Sequence, residues 1–153
     1  MSIRYILLFL MGFAFMSNDL SADTPVEEVV IKYDDVKGAK DFIAQGGARL
    51  SIAKSFLKKT PVASLSPDVD EVMVLKMGNT SEQDKTSFLK DLDNALKTYE
   101  NHGRHPSENG PVDVYVKRNS AGHIIELVIY NPELYNLNVL HGNFPVDALL
   151  KIQ

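Results

Sequence analysis

Three strand-forming segments follow one another closely in the second half of the 153-residue chain, and they limit its fold more than any other feature. The first, Val112–Lys117, alternates apolar and polar residues as a half-buried strand does. Ile124–Tyr130 and Leu137–His141 follow it, after turn-like segments at Asn119–Gly122 and Asn131–Glu133. Connections this short cannot cross over a sheet, so neighbouring strands must be antiparallel. The pattern therefore predicts an antiparallel meander.

One more strand and a long helix precede the meander. Glu71–Met77 places apolar residues on both of its faces, which favours a central position in the sheet. Thr80 is placed to cap the helix that follows, and Gln83 occupies the capping-box position three residues later. Apolar residues recur at helical spacing as far as about Tyr99. We expect this helix to cross the sheet towards the meander, in a right-handed sense if the strands that it joins are parallel.

A shorter helix is predicted over Pro25–Asp35, near the start of the mature chain. Thr24 can cap it, and Glu27 completes a Thr-x-x-Glu capping box. The run Val29–Ile31 is β-branched, so a strand is the competing interpretation. The cap and the helical spacing of the apolar residues favour the helix.

Two further helices are predicted, at Ala48–Lys59 and after Pro145. The polar segment Asn101–Pro111 is interpreted as an exposed loop, because it combines turn-forming residues with no apolar periodicity. The order is then helix, helix, strand, helix, three strands, helix. This is the α+β class, with a four-stranded mixed or antiparallel sheet backed by helices. The sequence contains no repeat or linker, which indicates a single domain over residues 23–153.

Residues 1–22 have the three parts of a secretory signal peptide. Arg4 supplies a positive start, Tyr5–Met16 is an apolar run of 12 residues, and Ser17–Ala22 is small and polar. A bilayer-spanning helix needs about 20 apolar residues, so this run is too short to be one. We expect export to the periplasm or beyond, with cleavage near Ala22. An uncleaved anchor and a cytosolic protein are the alternatives.

Composition narrows the classes of function. The chain has no Cys, which excludes disulfides, thiolate nucleophiles and thiolate metal sites. Its 20 acidic and 16 basic residues give a net charge of -4, which argues against binding to nucleic acid or to an anionic membrane surface.

Six segments resemble a known family in their order and spacing. They are Lys32–Gly38, Ser51–Leu57, Asp70–Leu75, Val112–Lys117, Glu126–Ile129 and Val139–Phe144. The family is the domain of unknown function 4252, small exported proteins mainly from Bacteroidetes. The resemblance implies a Gram-negative envelope location and no established catalytic activity, and it transfers no site residues. Many relatives look like lipoproteins, whereas this chain lacks the Cys that lipid attachment requires.

Histidines are the only candidates for catalysis or metal binding. His102 and His105 are three residues apart and could bind zinc on a helix, but the residues around them favour a solvated loop. His123, Glu126 and His141 could converge across the meander as a base and its orienting partners. Positions 123 and 126 point to opposite faces of a regular strand, which argues against this. We therefore expect no metal, no cofactor and no catalytic residue.

The second face of the sheet is the candidate interaction surface. One face of the sheet is filled by Val and Leu, and the other is only partly polar. That second face is expected to carry Tyr115, Val128, Tyr130 and Leu140. If it stays uncovered, it suits a partner protein. The alternative is that the first or the terminal helix folds over it.

The sequence thus favours a non-catalytic exported domain that binds another protein, an envelope component or a copy of itself. No membrane span is expected in the mature chain. One alternative is a module that binds a small molecule or peptide between the sheet and the helices. The other is a metal-dependent hydrolase that uses His102, His105 or His123.

Overall fold

The computed structural model describes residues 24–152, so the leader predicted over residues 1–22 lies outside the described part of the chain. The α-helices are α1 (Pro25–Tyr33), α2 (Gly47–Phe56) and α3 (Glu82–Leu96). The strands are β1 (Lys40–Ala44), β2 (Val69–Lys76), β3 (Glu100–His105), β4 (Val112–Arg118), β5 (Ile124–Asn131) and β6 (Asn136–Phe144). Short 3₁₀ segments span Leu57–Lys59, Ala63–Asp68 and Ala148–Lys151. Among residues 24–152, no helix combines the length and the apolarity that crossing a bilayer demands.

The α+β class is confirmed, but the prediction of four strands is wrong. All six strands form one open sheet in the order β1-β2-β6-β5-β4-β3, and every neighbouring pair is antiparallel. The two strands that sequence analysis missed, β1 and β3, lie at the edges of the sheet. β3 occupies much of the segment Asn101–Pro111 that was expected to be a loop. An edge strand forms its backbone ladder without burying a side-chain row, so no apolar alternation marks it.

The long helix α3 joins β2 to β3 rather than to β4. In the sheet, β3 is the fourth strand along from β2, and the direction reverses at each step. These two strands therefore run in the same direction. The helix begins one residue later than expected, because Ser81 and not Thr80 is the N-cap. The Ser81 hydroxyl accepts a hydrogen bond from the Asp84 amide at 3.1 Å. The Thr80 hydroxyl instead donates to the Met77 carbonyl at 2.6 Å.

The helix predicted over Pro25–Asp35 is confirmed as α1. Thr24 has extended backbone angles, and its hydroxyl accepts a hydrogen bond from the Glu27 amide at 3.3 Å. The apolar stripe of α1 is buried, and it consists of Val26, Val29, Val30 and Tyr33. This continuous stripe explains why a β-branched run forms a helix here rather than a strand.

Helices cover both faces of the sheet. On one face α1 and α3 pack against a set of buried residues from the three central strands: Met73, Leu75, Val128, Tyr130, Leu137 and Val139. On the other face α2 and the 3₁₀ segments cover a second set: Val72, Val112, Val114, Val116, Leu127, Ile129 and Leu140. The domain is therefore a three-layer arrangement with two apolar cores.

The four residues of the candidate interaction surface do not form one exposed face. Val128 and Tyr130 are buried beneath α1 and α3, and Tyr115 is half-buried against the same core. Leu140 is buried on the opposite face, since β6 pairs it with Val72. The first helix covers the sheet, which is the alternative that the sequence left open.

Helices α1 and α3 are joined by a polar contact at the edge of their apolar interface. Asp91 Oδ2 accepts hydrogen bonds from Lys32 Nζ at 2.7 Å and from the Tyr33 hydroxyl at 2.6 Å. These two hydrogen bonds hold the pKa of Asp91 below its usual range. Next to them, the rings of Tyr33 and Phe88 meet edge to face with centroids 5.6 Å apart.

We predict that Asp91→Asn lowers the free energy of unfolding by about 1 kcal/mol at neutral pH, the usual value for a hydrogen bond to a partly exposed charge. Because the folded pKa is depressed, this stabilisation is present above the unfolded pKa of about 3.9 and is lost as pH falls through the folded value. Urea unfolding of both proteins at neutral pH and near pH 2 measures it. A difference between them that persists at low pH would contradict the assignment.

Candidate functional site

Three ionisable side chains form a row across the sheet beneath the first turn of α1. The strand register pairs His141 of β6 with Glu71 of β2 on one side and with Glu126 of β5 on the other. All three continue the runs of buried residues that face α1 and α3. The row therefore forms the polar end of an otherwise apolar layer.

The row lies where the sheet is irregular. The β2–β6 register shifts between Val69 and Glu71, and the β5–β6 register shifts between Ile124 and Glu126. Gly142, directly after His141, passes very close to the Asp68 carbonyl: a Cβ there would lie 2.1 Å from that oxygen. Bulges of this kind re-aim side chains at the ends of strands. Here they surround His141 on both sides.

His141 meets a carboxylate at each ring nitrogen. Its Nδ1 lies 2.7 Å from Glu71 Oε1 and forms a hydrogen bond with it. Its Nε2 lies 2.9 Å from Glu27 Oε1 and 3.8 Å from Glu126 Oε1, but neither contact has the geometry of a hydrogen bond. Glu27 belongs to the first turn of α1, so this cluster joins the helix to the sheet.

Glu126 is the most deeply buried member, with no exposed surface. Its Oε2 accepts hydrogen bonds from the Thr24 hydroxyl at 2.9 Å and from the Tyr99 hydroxyl at 2.8 Å. Its Oε1 has no hydrogen-bond partner and faces His141. One oxygen is thus fixed by two donors while the other is left for the centre of the cluster.

The carboxylates control the protonation of the imidazole. Burial alone would lower the pKa of His141, but Glu126, Glu27 and Glu71 outweigh it and raise the pKa to about 11. The hydrogen bond with His141 in turn lowers the pKa of Glu71. Burial and the charge of Glu126 raise the pKa of Tyr99, which therefore remains a hydroxyl donor. At neutral pH the cluster contains an imidazolium ion.

The cluster is a poor general base. A general base works best when its pKa lies near the working pH, and His141 holds its proton far above neutrality. A metal ion would have to displace this proton to bind the imidazole. The same side chains offer metal-ligand atoms: Glu27, Glu126 and His141 each place one such atom within 4.8 Å of the other two.

The histidines singled out by sequence lie apart from this cluster. His102 and His105 are on edge strand β3, where their rings stack with centroids 5.5 Å apart. Within residues 24–152, neither belongs to a group of three residues that could hold a metal ion. Of the three residues considered as an acid–base set, Glu126 and His141 do come together, although the sequence argued against it. His123 lies in the turn before β5, and its amide donates to Asn119 Oδ1.

Sequence analysis missed Glu27, Glu71, Thr24 and Tyr99 as members of the cluster. It assigned Thr24 and Glu27 to helix capping, which is confirmed for Thr24. Glu27 is at the capping-box position, but its carboxylate turns to His141. The sequence could have indicated Glu71, because alternation along a strand places it on the same face as the apolar Met73 and Leu75.

An open groove of about 440 Å³ lies at the end of β2. It is lined by the turns around Gly38, Gly78 and Asn79 and by the side chains of Lys40 and Lys76, among others. Its position at the strand ends differs from the site between sheet and helices that was considered for a small ligand.

No family model, no curated protein and no solved structure matches the chain. The resemblance to the domain of unknown function 4252 family therefore stays a prediction, and function has to be inferred from the residues of this chain.

We predict that Gly142→Ala lowers the free energy of unfolding by about 2–3 kcal/mol, because the new methyl group overlaps the Asp68 carbonyl and β2 must move away. Gly46→Ala is the matched control: no atom lies within 4 Å of its Cβ position, and its backbone is extended. Chemical denaturation measures both variants. Equal stability of the two would show that the close approach at Gly142 does not constrain the sheet.

Proposed function

We propose that this chain is an exported, non-catalytic domain that binds an acidic protein through the outer surface of α2. The single observation that carries the proposal is an exposed apolar pair on this helix. Ile52 and Phe56 are 56% and 68% exposed, and they are four residues apart, so they share one helix face. Helices cover both faces of the sheet, so the contact surface proposed here lies on the outside of a helix.

The charge around this pair selects the partner. Residues 46–67 hold four of the sixteen basic residues and none of the twenty acidic ones, in a chain with net charge -4. The four are Arg49, Lys54, Lys58 and Lys59. At about 100° per residue, Arg49 lies on the side of α2 that carries Ile52, whereas Lys54 lies on the opposite side. An exposed apolar pair beside a cation, in a segment without acidic residues, is complementary to an acidic surface that carries an apolar anchor. Phe56 is exposed enough to fill a pocket of the partner.

The non-catalytic part of the proposal is supported by the geometry of the buried cluster. Both ring nitrogens of His141 face carboxylates of the chain, Nδ1 at 2.7 Å from Glu71 and Nε2 at 2.9 Å from Glu27, which leaves no ring nitrogen for a substrate. The loop histidines that would have served a hydrolase lie on an edge strand with stacked rings.

We predict that a photo-reactive benzoylphenylalanine replacing Phe56 forms one discrete covalent adduct with an acidic protein in envelope extracts of the source organism. The same replacement of Leu134, which is 44% exposed on another surface, is the matched control and should give no such adduct. The purified pair should then bind at least about tenfold more weakly after Arg49→Glu, one helical turn before Ile52, and more weakly as salt rises. An adduct that is equal at both positions, or affinity that is unchanged by charge reversal, would reject the proposal. Light scattering that detects self-association would instead identify the partner as a second copy of this chain, and the proposal of an acidic partner would be rejected.

Export is the second element of the proposal, and it is supported by the sequence of residues 1–22. We predict that the envelope-fraction protein begins at Asp23, one residue before the buried Thr24. Amino-terminal sequencing of the protein purified from fractionated cells measures this. Recovery of the intact leader on protein from the cytosol would exclude export.

A further inference from the structure

We propose that Glu27, Glu126 and His141 form a binding site for a divalent transition-metal ion, and that Zn²⁺ suits it best. Two carboxylate oxygens and one imidazole nitrogen are a donor set that first-row divalent ions accept. Each residue places one ligand atom within 4.8 Å of those of the other two. The ligand atoms would be His141 Nε2 and the two carboxylate oxygens nearest to it, Glu27 Oε1 and Glu126 Oε1. This inference is independent of the binding surface on α2.

The spacing of these atoms fits an ion at their centre. Zinc binds oxygen and nitrogen at about 2.0–2.2 Å in a tetrahedral arrangement, which places ligand atoms about 3.3 Å from one another. His141 Nε2 lies 2.9 Å from Glu27 Oε1 and 3.8 Å from Glu126 Oε1. Shifts of about half an ångström would bring both distances to the required value.

An independent observation points to a missing ligand. Glu126 has no exposed surface, yet its Oε1 has no hydrogen-bond partner. Polar atoms buried without such a partner are rare in folded proteins and are costly. His141 Nε2 lies 3.8 Å from this oxygen and is closer to Glu27 Oε1, at 2.9 Å. A metal ion at the centre of the cluster would contact Glu126 Oε1 directly.

The contacts outside the cluster orient the ligands as they do in metal sites. Glu71 Oε1 binds His141 Nδ1 at 2.7 Å, which leaves Nε2 for the metal. Thr24 and Tyr99 donate to Glu126 Oε2 and leave Oε1 for the metal. The side-chain amide of Gln45 in turn binds Glu71 Oε2. These contacts fix the direction of two ligands before any ion binds.

The site lies close to the surface. The side chains of Glu27 and His141 are 16% and 19% exposed, so a movement of these two side chains would admit an ion to the buried ligand atoms. Binding of Zn²⁺ to Nε2 displaces the proton that the imidazolium carries there, and this proton is released to solvent. The ion would join the first turn of α1 to β5 and β6, and would therefore stabilise the folded chain in proportion to its concentration.

The test is calorimetric titration of the untagged mature chain, stripped with chelator, using Zn²⁺, Mn²⁺ and Mg²⁺. We expect one Zn²⁺ per chain, weaker binding of Mn²⁺ and weakest binding of Mg²⁺. Glu27→Gln should weaken Zn²⁺ binding at least about tenfold, since the loss of even an orienting contact has an effect of that size. Glu28→Gln, the exposed neighbour on the same helix turn, is the matched control and should bind as the unchanged chain does.

Two further measurements distinguish loss of the metal site from loss of the fold. Co²⁺ in place of Zn²⁺ should give the visible absorption of a tetrahedral site, and this absorption should change in Glu27→Gln but not in His102→Ala plus His105→Ala. Circular dichroism shows that each variant is folded, and Glu27→Gln is chosen because its side chain is partly exposed. The absence of stoichiometric Zn²⁺ binding, or equal affinity in Glu27→Gln and Glu28→Gln, would overturn the proposal.

Discussion

Burial of the Glu126 carboxylate is the constraint on which this end of the domain depends. An ion placed in an apolar interior without partners costs several kcal/mol, so each contact with it has to be made for the chain to fold. The contacts of Glu126 come from elements far apart in sequence. Thr24 belongs to the cap of α1, Tyr99 follows α3, and His141 lies on β6. One charge therefore couples the docking of both helices to the alignment of the central strands.

The same constraint explains the local irregularity of the sheet. His141 lies between Glu71 and Glu126 and also beneath Glu27. The strand ladders on both sides of it are interrupted by register shifts at this point. Gly142 permits them, because a larger residue would overlap the neighbouring backbone. The geometry of the candidate site is thus a product of strand register rather than of a local motif.

The sequence predicted what short-range periodicity determines. The meander, the helix capped by Thr24 and the long helix before β3 follow from apolar spacing within one element. Edge strand β3 was missed because no buried row marks it. Edge strand β1 was missed because it is short and its apolar residues, Phe42, Ile43 and Ala44, are consecutive rather than alternating. The cluster was missed because Glu27, Glu71 and His141 come together only through long-range pairing, and each resembles an ordinary surface charge when considered alone. Glu71 and His141 point to the same face of the sheet as Met73 and Val139, respectively. This orientation becomes informative only once the strand order is known.

Both borders of the sheet carry charge. β1 begins with the exposed Lys40 and Asp41, and β3 has a register irregularity between Asn101 and Arg104. Arg104 is tied by two hydrogen bonds to Asp113 on the adjacent strand. Bent, charged margins of this kind offer a poor template to another backbone. Folded molecules therefore have little tendency to add strand upon strand into a fibre.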